Sequence, residues 1–379
     1  MLRRLIIDKF RALSHLELHD LGRVNLLVGT NNCGKTSVLE AIHILVSRGN
    51  VEPIYSMMSR RGEQLQAGTA RRSQVEVDLC RLFHNYDLES GSMFRITGST
   101  DKHEETLTAT IAEYSTSTLH ADESGQAMLF NRDSEENVLE YIPPYQLSLV
   151  WDGIEYVKEE LSVSVRGGLS FEGLRRPQRR NGRQAENLFI PTASLSIGEI
   201  TSLFEETVLT PEEDLVIECL RIIEPTIERL ATVGGADRRY FPSYFGSRGG
   251  IMVKCTGVSS RIPIGSLGDG IWRMLGLVLA LVRSEGGVVF IDEIDTGLHF
   301  TVMADMWKLV ADTAKRLNVQ VFATTHNSDC WTSLATLARE TVSSESEITI
   351  QRIERDKQHA VAFTEQEIVI AASRGIEVR

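Results

Sequence analysis

Apolar and polar residues alternate in LIIDKF and HLELHD near the start of the chain, and then the alternation stops at VNLLV, residues 24–28. Alternation with period two marks a half-buried sheet, whereas an unbroken apolar run marks a strand covered on both faces. The pattern predicts two or three strands over residues 2–28, the last of them buried. From Lys35 to about Val46 the period changes, with Val38, Leu39, Ile42 and Leu45 recurring at helical spacing. Between Gln74 and Leu149 the short segments VEVDL, SMFRITG, ETLTATIAEY and AMLF are separated by turn residues, as in an antiparallel lobe. Residues 197–232 read as helical, interrupted at TPEED and at Pro225, with Leu203, Phe204, Leu215, Ile217, Leu220 and Ile223 as the apolar face. Strand character returns at YFPSYF and GIMVKC, and SLGDGIWRMLGLVLALV is a glycine-rich turn opening a strongly apolar helix. Two buried strands, VVFID and VQVFATTH, flank a helix from about Val302 to Leu317. ITIQRI and AVAFT close the pattern ahead of a charged tail.

Between the buried run VNLLV and its helix lies GTNNCGKT, residues 29–36. A glycine-rich loop opening a helix forms a nest of backbone N–H groups backed by the helix N-terminus, which suits phosphate. Every fixed position of G-x-x-x-x-G-K-[ST] is present, in the strand–loop–helix context the motif requires. Gly29, Thr30, Asn31, Asn32, Cys33 and Gly34 supply the cradle, with Ser37 just inside the helix. Lys35 can reach the terminal phosphates, and Thr36 offers its hydroxyl to Mg²⁺. The loop predicts a nucleoside triphosphate ligand.

Composition narrows the partners. A net charge of −12 argues against nonspecific coating of nucleic acid by the whole molecule, though not against a local basic groove. One such stretch exists, residues 167–187, with Arg175, Arg176, Arg179, Arg180 and Arg183. It reads equally as a phosphate contact or a solvated loop. The cysteines, Cys33, Cys80, Cys219, Cys255 and Cys330, show no metal-ligand spacing, and their scattered placement suggests a reducing, cytoplasmic setting. No apolar run is long enough to span a bilayer, so no membrane partner is expected.

Further chemistry sits at strand ends. GGVVFIDEID places Asp292 and Glu293 at the C-terminal end of a predicted parallel strand, where α/β sheets bind ligands. Asp292 is suited to hold the Mg²⁺ that Thr36 touches, and Glu293 to polarise water as general base; adjacent carboxylates can also simply cap a following helix. His326, after the next apolar strand, can hydrogen-bond a γ-phosphate or the attacking water. Ser266, Gly268 and Gly270 form a second nest at a helix N-terminus. A chain needs one nest for its own phosphates, so the spare one suggests closure over the nucleotide of a partner copy.

GTNNCGKT, SLGDG, VVFIDEID followed by TGLH, and the downstream ATTH together resemble the ATP-binding-cassette type of ATPase head. The form is similar to the SMC/RecF-like branch, and most to the ATPase part of the OLD (overcoming-lysogenisation defect) family and related bacterial defence ATPases. The opening KFRAL, followed by VNLLVGTNNCGKTSVLEAIHIL, shares the likeness. The resemblance implies an α/β, ABC-type P-loop head: a mixed, largely parallel sheet core with an antiparallel β lobe and an inserted helical lobe. Residues 1–73 and 262–379 would form the nucleotide-binding core, 74–160 the β lobe and 194–260 the helical lobe, all within one composite unit.

The resemblance also implies roles. Gly29 to Thr36 become Walker A, Asp292 and Glu293 Walker B with the catalytic glutamate, Ser266 to Gly270 the signature turn acting in trans, Asp295 the D-loop aspartate and His326 the switch histidine. Arg11 matches an arginine that approaches the phosphates or base, with a solvent-facing charge as its alternative. Gln146 is the nearest candidate for a glutamine that senses Mg²⁺. ATP and Mg²⁺ are the implied ligands, and an ATP-linked homodimer the implied assembly. Long SMC-like arms are absent, and the stretch after ATTH leaves no room for the OLD nuclease, so an effector is expected on a separate polypeptide. The intact Glu293 favours turnover over a non-hydrolysing scaffold, and Asp269 in place of a second signature glycine speaks against a transporter subunit.

Overall fold

The computed structural model describes residues 1–65, 76–86, 88–113, 145–164, 166–170, 186–232, 250–340 and 347–378. The alternating start folds as β1 (Leu2–Phe10) and β2 (Leu13–Leu18), and the apolar run as β3 (Val24–Val28), buried at all five positions. The following helix, α1 (Lys35–Val46), has the expected bounds. It is buried almost all round rather than on one face, only Thr36 and Val46 being half-exposed. A helix covered on every side tolerates few charges, and its one carboxylate, Glu40, is ion-paired to two arginines.

Two units divide the chain, residues 1–4, 18–39 and 182–379 in one and residues 5–17 and 40–181 in the other. The second unit continues from α1 through α2 (Glu52–Arg60), β4 (Gln64–Leu65) and β5 (Glu76–Asp78). It then forms β6 (Met93–Thr100), β7 (Glu104–Glu113), β8 (Tyr145–Asp152), β9 (Val157–Val163) and β10 (Gly168–Ser170). A six-stranded sheet runs β2-β1-β6-β7-β8-β9, with β6 to β9 antiparallel, and β10-β5-β4 form a smaller sheet. Phe94 sits edge-on between Phe10 and Phe83, at 5.1 and 5.5 Å between centroids, and all three are buried.

The first unit holds the P-loop. After β3 and the start of α1 it resumes with β11 (Leu188–Ile190), α3 (Ile197–Thr207), α4 (Glu212–Arg221), β12 (Ile227–Thr232), β13 (Ile251–Cys255) and β14 (Ile262–Pro263). It continues through α5 (Asp269–Arg283), β15 (Val288–Ile291), α6 (Phe300–Arg316), β16 (Gln320–Thr324) and α7 (Ser328–Glu340). The last elements are β17 (Ile348–Arg352), β18 (Val361–Phe363) and α8 (Glu365–Arg374). The main sheet is ordered β11-β15-β16-β3-β17-β18, parallel except for β18, so β16 lies between the P-loop strand and the strand that Asp292 follows. This is the mixed α/β architecture with a largely parallel sheet core and an antiparallel β lobe expected from the sequence. Asn25, fully buried in β3, fills its hydrogen-bonding capacity: its oxygen accepts from Gly22 N and Thr349 Oγ1, its amide donates to Gly22 O and Val321 O.

Two expectations change. Residues 227–232 are a strand, because Pro225 stops the helix and β12 pairs antiparallel with β13. Residues of the helical stretch share one core with the P-loop strand, Phe204, Val216, Leu220 and Val253 clustering with Val24, Leu26 and Val289. The charged tail is α8, started by a Thr364–Glu367 capping box and ended by Gly375 in the left-handed region. The segments AMLF and YFPSYF and the basic run 175–183 lie outside the described residues. No helix among the described residues is long and apolar enough to cross a membrane.

Candidate active site

The groups that meet at the P-loop all belong to the first unit. The loop turns through left-handed backbone at Gly29 (φ 143°), Asn32 (φ 61°) and Gly34 (φ 104°), and α1 begins where Val38 N donates to Gly34 O. Thr30, Asn31 and Asn32 are exposed, while Gly29, Cys33 and Ser37 are buried. Lys35 folds back over the loop and donates from Nζ to Gly29 O at 2.9 Å and Thr30 O at 3.0 Å. Those two carbonyls hold the ammonium at the nest, where incoming phosphate oxygens would take it over.

Asp292 is the hub. Its Oδ1 accepts from Thr36 Oγ1 at 3.0 Å and Thr324 Oγ1 at 2.8 Å, and its Oδ2 accepts from Thr192 Oγ1 at 3.0 Å. Three parallel strands, β11, β15 and β16, therefore deliver a threonine, the aspartate and a second threonine to one point. Glu293 follows with φ 52°, its N–H donating to Thr324 Oγ1 at 2.8 Å and its Oε2 lying 2.6 Å from His326 Nδ1. The left-handed turn re-aims the Glu293 side chain from that of Asp292, so the adjacent carboxylates meet different partners, threonines at Asp292 and His326 at Glu293. His326 is exposed and Glu293 largely covered, so the pair stands at the rim of the site.

The donor set fits a small hard cation: Thr36 and Asp292 present a hydroxyl and a carboxylate oxygen 3.0 Å apart, with no nitrogen or sulfur ligand in the group. Asp295, expected as a D-loop aspartate, is buried and accepts from Thr325 Oγ1 at 2.7 Å, which fixes the loop ahead of Gly297. The turn expected as the signature belongs to the same unit. Ser266, in a single 3₁₀ turn, is exposed, as are Gly268 (φ 98°) and Asp269. Gly270 packs so closely that a Cβ there would lie 3.0 Å from Gly297 O.

Two expected residues belong to the second unit. Gln146 lies within β8, paired with Ala112 and Ser162, and its side chain hydrogen-bonds Glu160, so it belongs to the antiparallel sheet. Thr192, which follows the short strand LFI, stands beside Asp292. Arg11 is not a solvent-facing charge. It is buried, with Nε 2.9 Å from Glu40 and its two terminal nitrogens donating to both oxygens of Glu63 at 2.7 and 3.0 Å. Arg61 adds a second cation on Glu40. Breaking a buried ion pair strands the carboxylates, so Arg11→Met is expected to lower stability by about 3 kcal/mol, near the low end because Arg61 remains. Denaturant unfolding measures it. Unchanged stability together with weakened ATP binding would instead restore a phosphate role.

Sequence reading also missed Arg273. It interrupts the apolar helix α5, is almost fully buried, and donates only to backbone carbonyls, among them Asp292 O at 2.7 Å and Glu293 O at 3.0 Å. Burial pushes its guanidinium down to about 10, against the opposing pull of Asp292, Asp295 and Glu293, so it stays charged at neutral pH. An arginine inside the run Ile271–Val282, otherwise apolar or glycine, was the available signal.

Two family descriptions match parts of the chain, an AAA ATPase domain over residues 1–142 and an AAA domain, putative AbiEii toxin, Type IV TA system, over residues 233–329. The P-loop lies in the first span, and Ser266, Asp292, Glu293 and His326 in the second. An ATP/GTP phosphatase of Helicobacter pylori is 21% identical over 343 residues, covering 87% of this chain and 86% of that protein. The DNA replication and repair protein RecF of Xanthomonas oryzae pv. oryzae is 50% identical over 42 residues, 11% of this chain and 12% of that protein. An SMC head bound to the C-winged helix domain of ScpA aligns at TM-score 0.43 and 11% identity, over 96% of this chain and 97% of that one. The SMC head domain from Thermotoga maritima aligns at TM-score 0.42 and 11% identity, over 96% and 98%.

Proposed function

We propose that this chain binds ATP with Mg²⁺ and hydrolyses it, as a head that pairs with a second copy and switches a partner effector. The observation that carries the reading is the convergence of Thr36, Thr192 and Thr324 on Asp292, with Glu293 and His326 paired beside it at the mouth of a complete P-loop. Lys35 and the loop amides hold the phosphates. Glu293 accepts the proton of the attacking water, and His326 orients Glu293 through their 2.6 Å contact. A divalent cation held by Thr36 and Asp292 would supply Lewis-acid contact to the phosphate oxygens. The ATP/GTP phosphatase relative, similar along most of its length, supports a hydrolytic reading.

Pairing of heads rests on the exposed signature turn, whose nest is not needed for the chain's own phosphates. ATP bound between two copies stabilises the pair by linkage, and hydrolysis releases it. Sedimentation of Glu293→Gln with ATP and Mg²⁺ is expected to show a doubled mass that reverts when nucleotide is removed. Unchanged mass and shape under both conditions would count against a nucleotide-driven clamp.

The effector reading goes further, to a separate nuclease or toxin held in check in anti-phage defence, and rests on the OLD-like motif set. The native protein should then purify with a stoichiometric second polypeptide whose retention changes on ATP binding. The RecF stretch favours a second reading, a DNA-binding ATPase in repair. Purification of the chain alone, with salt-dependent DNA binding lost on neutralising Arg175, Arg176, Arg179 and Arg180, would select it.

A further inference from the structure

Arg273 lies one helical turn beyond Asp269, on the helix that the signature turn opens. Its guanidinium reaches two separate strand ends: Pro191 O at 2.5 Å and Thr192 O at 3.4 Å after β11, Asp292 O at 2.7 Å and Glu293 O at 3.0 Å after β15. Every acceptor is a main-chain carbonyl. A cation buried to this depth is costly unless its donors are all placed, and simple packing of α5 needs no charge there, since its neighbours from Ile271 to Leu281 are buried and otherwise apolar or glycine. The planar fork of arginine bridges several carbonyls at fixed angles, which a hydrophobic side chain or a lysine cannot do.

The residues so held are those that set the chemistry. Thr192 donates to Asp292, and Glu293 depends on its left-handed backbone to meet His326. Small rotations of the peptides at 292 and 293 would move that carboxylate, and α5 carries the other end of the connection to Ser266, Gly268 and Gly270.

We propose that Arg273 is a positioning residue for hydrolysis, locking the strand ends that carry Thr192 and Glu293 to the signature helix, so that turnover responds to the signature turn through this side chain. The inference rests on the ATPase reading above and adds the route by which engagement of the exposed turn reaches the base. Arg273 spends its donors on main-chain carbonyls, so it acts on the rate step rather than on binding.

The experiment compares ATP turnover with ATP affinity, read by titration of a fluorescent ATP analogue, in the full-length wild type, Arg273→Lys, Arg273→Gln, Ser266→Arg and the Ser266→Arg/Arg273→Gln pair. Arg273→Gln is expected to lower kcat about 10- to 100-fold, as loss of an orienting partner does, with affinity changed less than about 3-fold. Arg273→Lys keeps the charge without the fork and should fall in between. If Arg273→Gln does not fold, Arg273→Lys carries the same comparison. The double variant should be no slower than Ser266→Arg alone, because both interrupt one connection. Multiplied losses in the double variant, or an unchanged kcat in Arg273→Gln, overturn the proposal. A wild type with no turnover overturns the ATPase reading and this one with it, whereas wild-type turnover with an indifferent Arg273 overturns this one alone.

Discussion

Glu293→Gln is expected to slow ATP hydrolysis about 100- to 10,000-fold while leaving nucleotide binding in place. The substitution removes the group that accepts a proton and changes little else. Thr36 and Asp292 stay paired at 3.0 Å, Lys35 remains at the loop, and glutamine can follow the same left-handed backbone at φ 52°. Its amide can still face His326, so the local geometry persists without the base. Steady-state turnover beside equilibrium ATP binding separates the two effects. Wild-type turnover in Glu293→Gln would move the base assignment to His326. A joint loss of binding and turnover would mean that Glu293 supports the loop rather than the chemistry.

A second large effect is expected at Gly29, where alanine should abolish ATP binding and destabilise the first unit. Gly29 sits at φ 143°, and a Cβ there would lie 2.3 Å from Ile353 O and 2.8 Å from Cys33 Sγ. The carbonyl cannot easily retreat, because Ile353 N donates to Val28 O at 2.9 Å and β17 is bonded along β3. The loop must therefore shift, and the nest of amides shifts with it. The strained backbone alone costs about 1–3 kcal/mol, before the clash is counted. Gly257→Ala is a matched control: its φ is 76°, but a Cβ there meets nothing within 4 Å, so ATP affinity should survive. Titration of both variants with ATP, alongside thermal unfolding, decides it. If Gly29→Ala bound ATP as tightly as wild type, the loop would not be working through its backbone nest.

What the sequence by itself determined is local. GTNNCGKT dictates its own loop, because the glycines permit the turns and the next residues start the helix. Asp292 and Glu293 were legible for the same reason, since an apolar run ending in two carboxylates marks a strand end. Residues 227–232 misled because IERLAT carries helix-forming residues, and only pairing with β13 made it a strand. The remaining features depend on strand order. With β16 between β3 and β15, and β11 on the far side, Thr324 and Thr192 close on Asp292 from opposite neighbours. A hundred residues separate Thr192 from Asp292, and nothing near either one encodes the meeting. Arg11 followed the same logic in reverse. Its motif left phosphate or solvent open, and the fold set Glu40 and Glu63 against it, carboxylates that compensate the lost hydration of a buried guanidinium. Backbone geometry within a few residues is written in those residues; which side chain faces another across a sheet is settled only when the strands choose their neighbours.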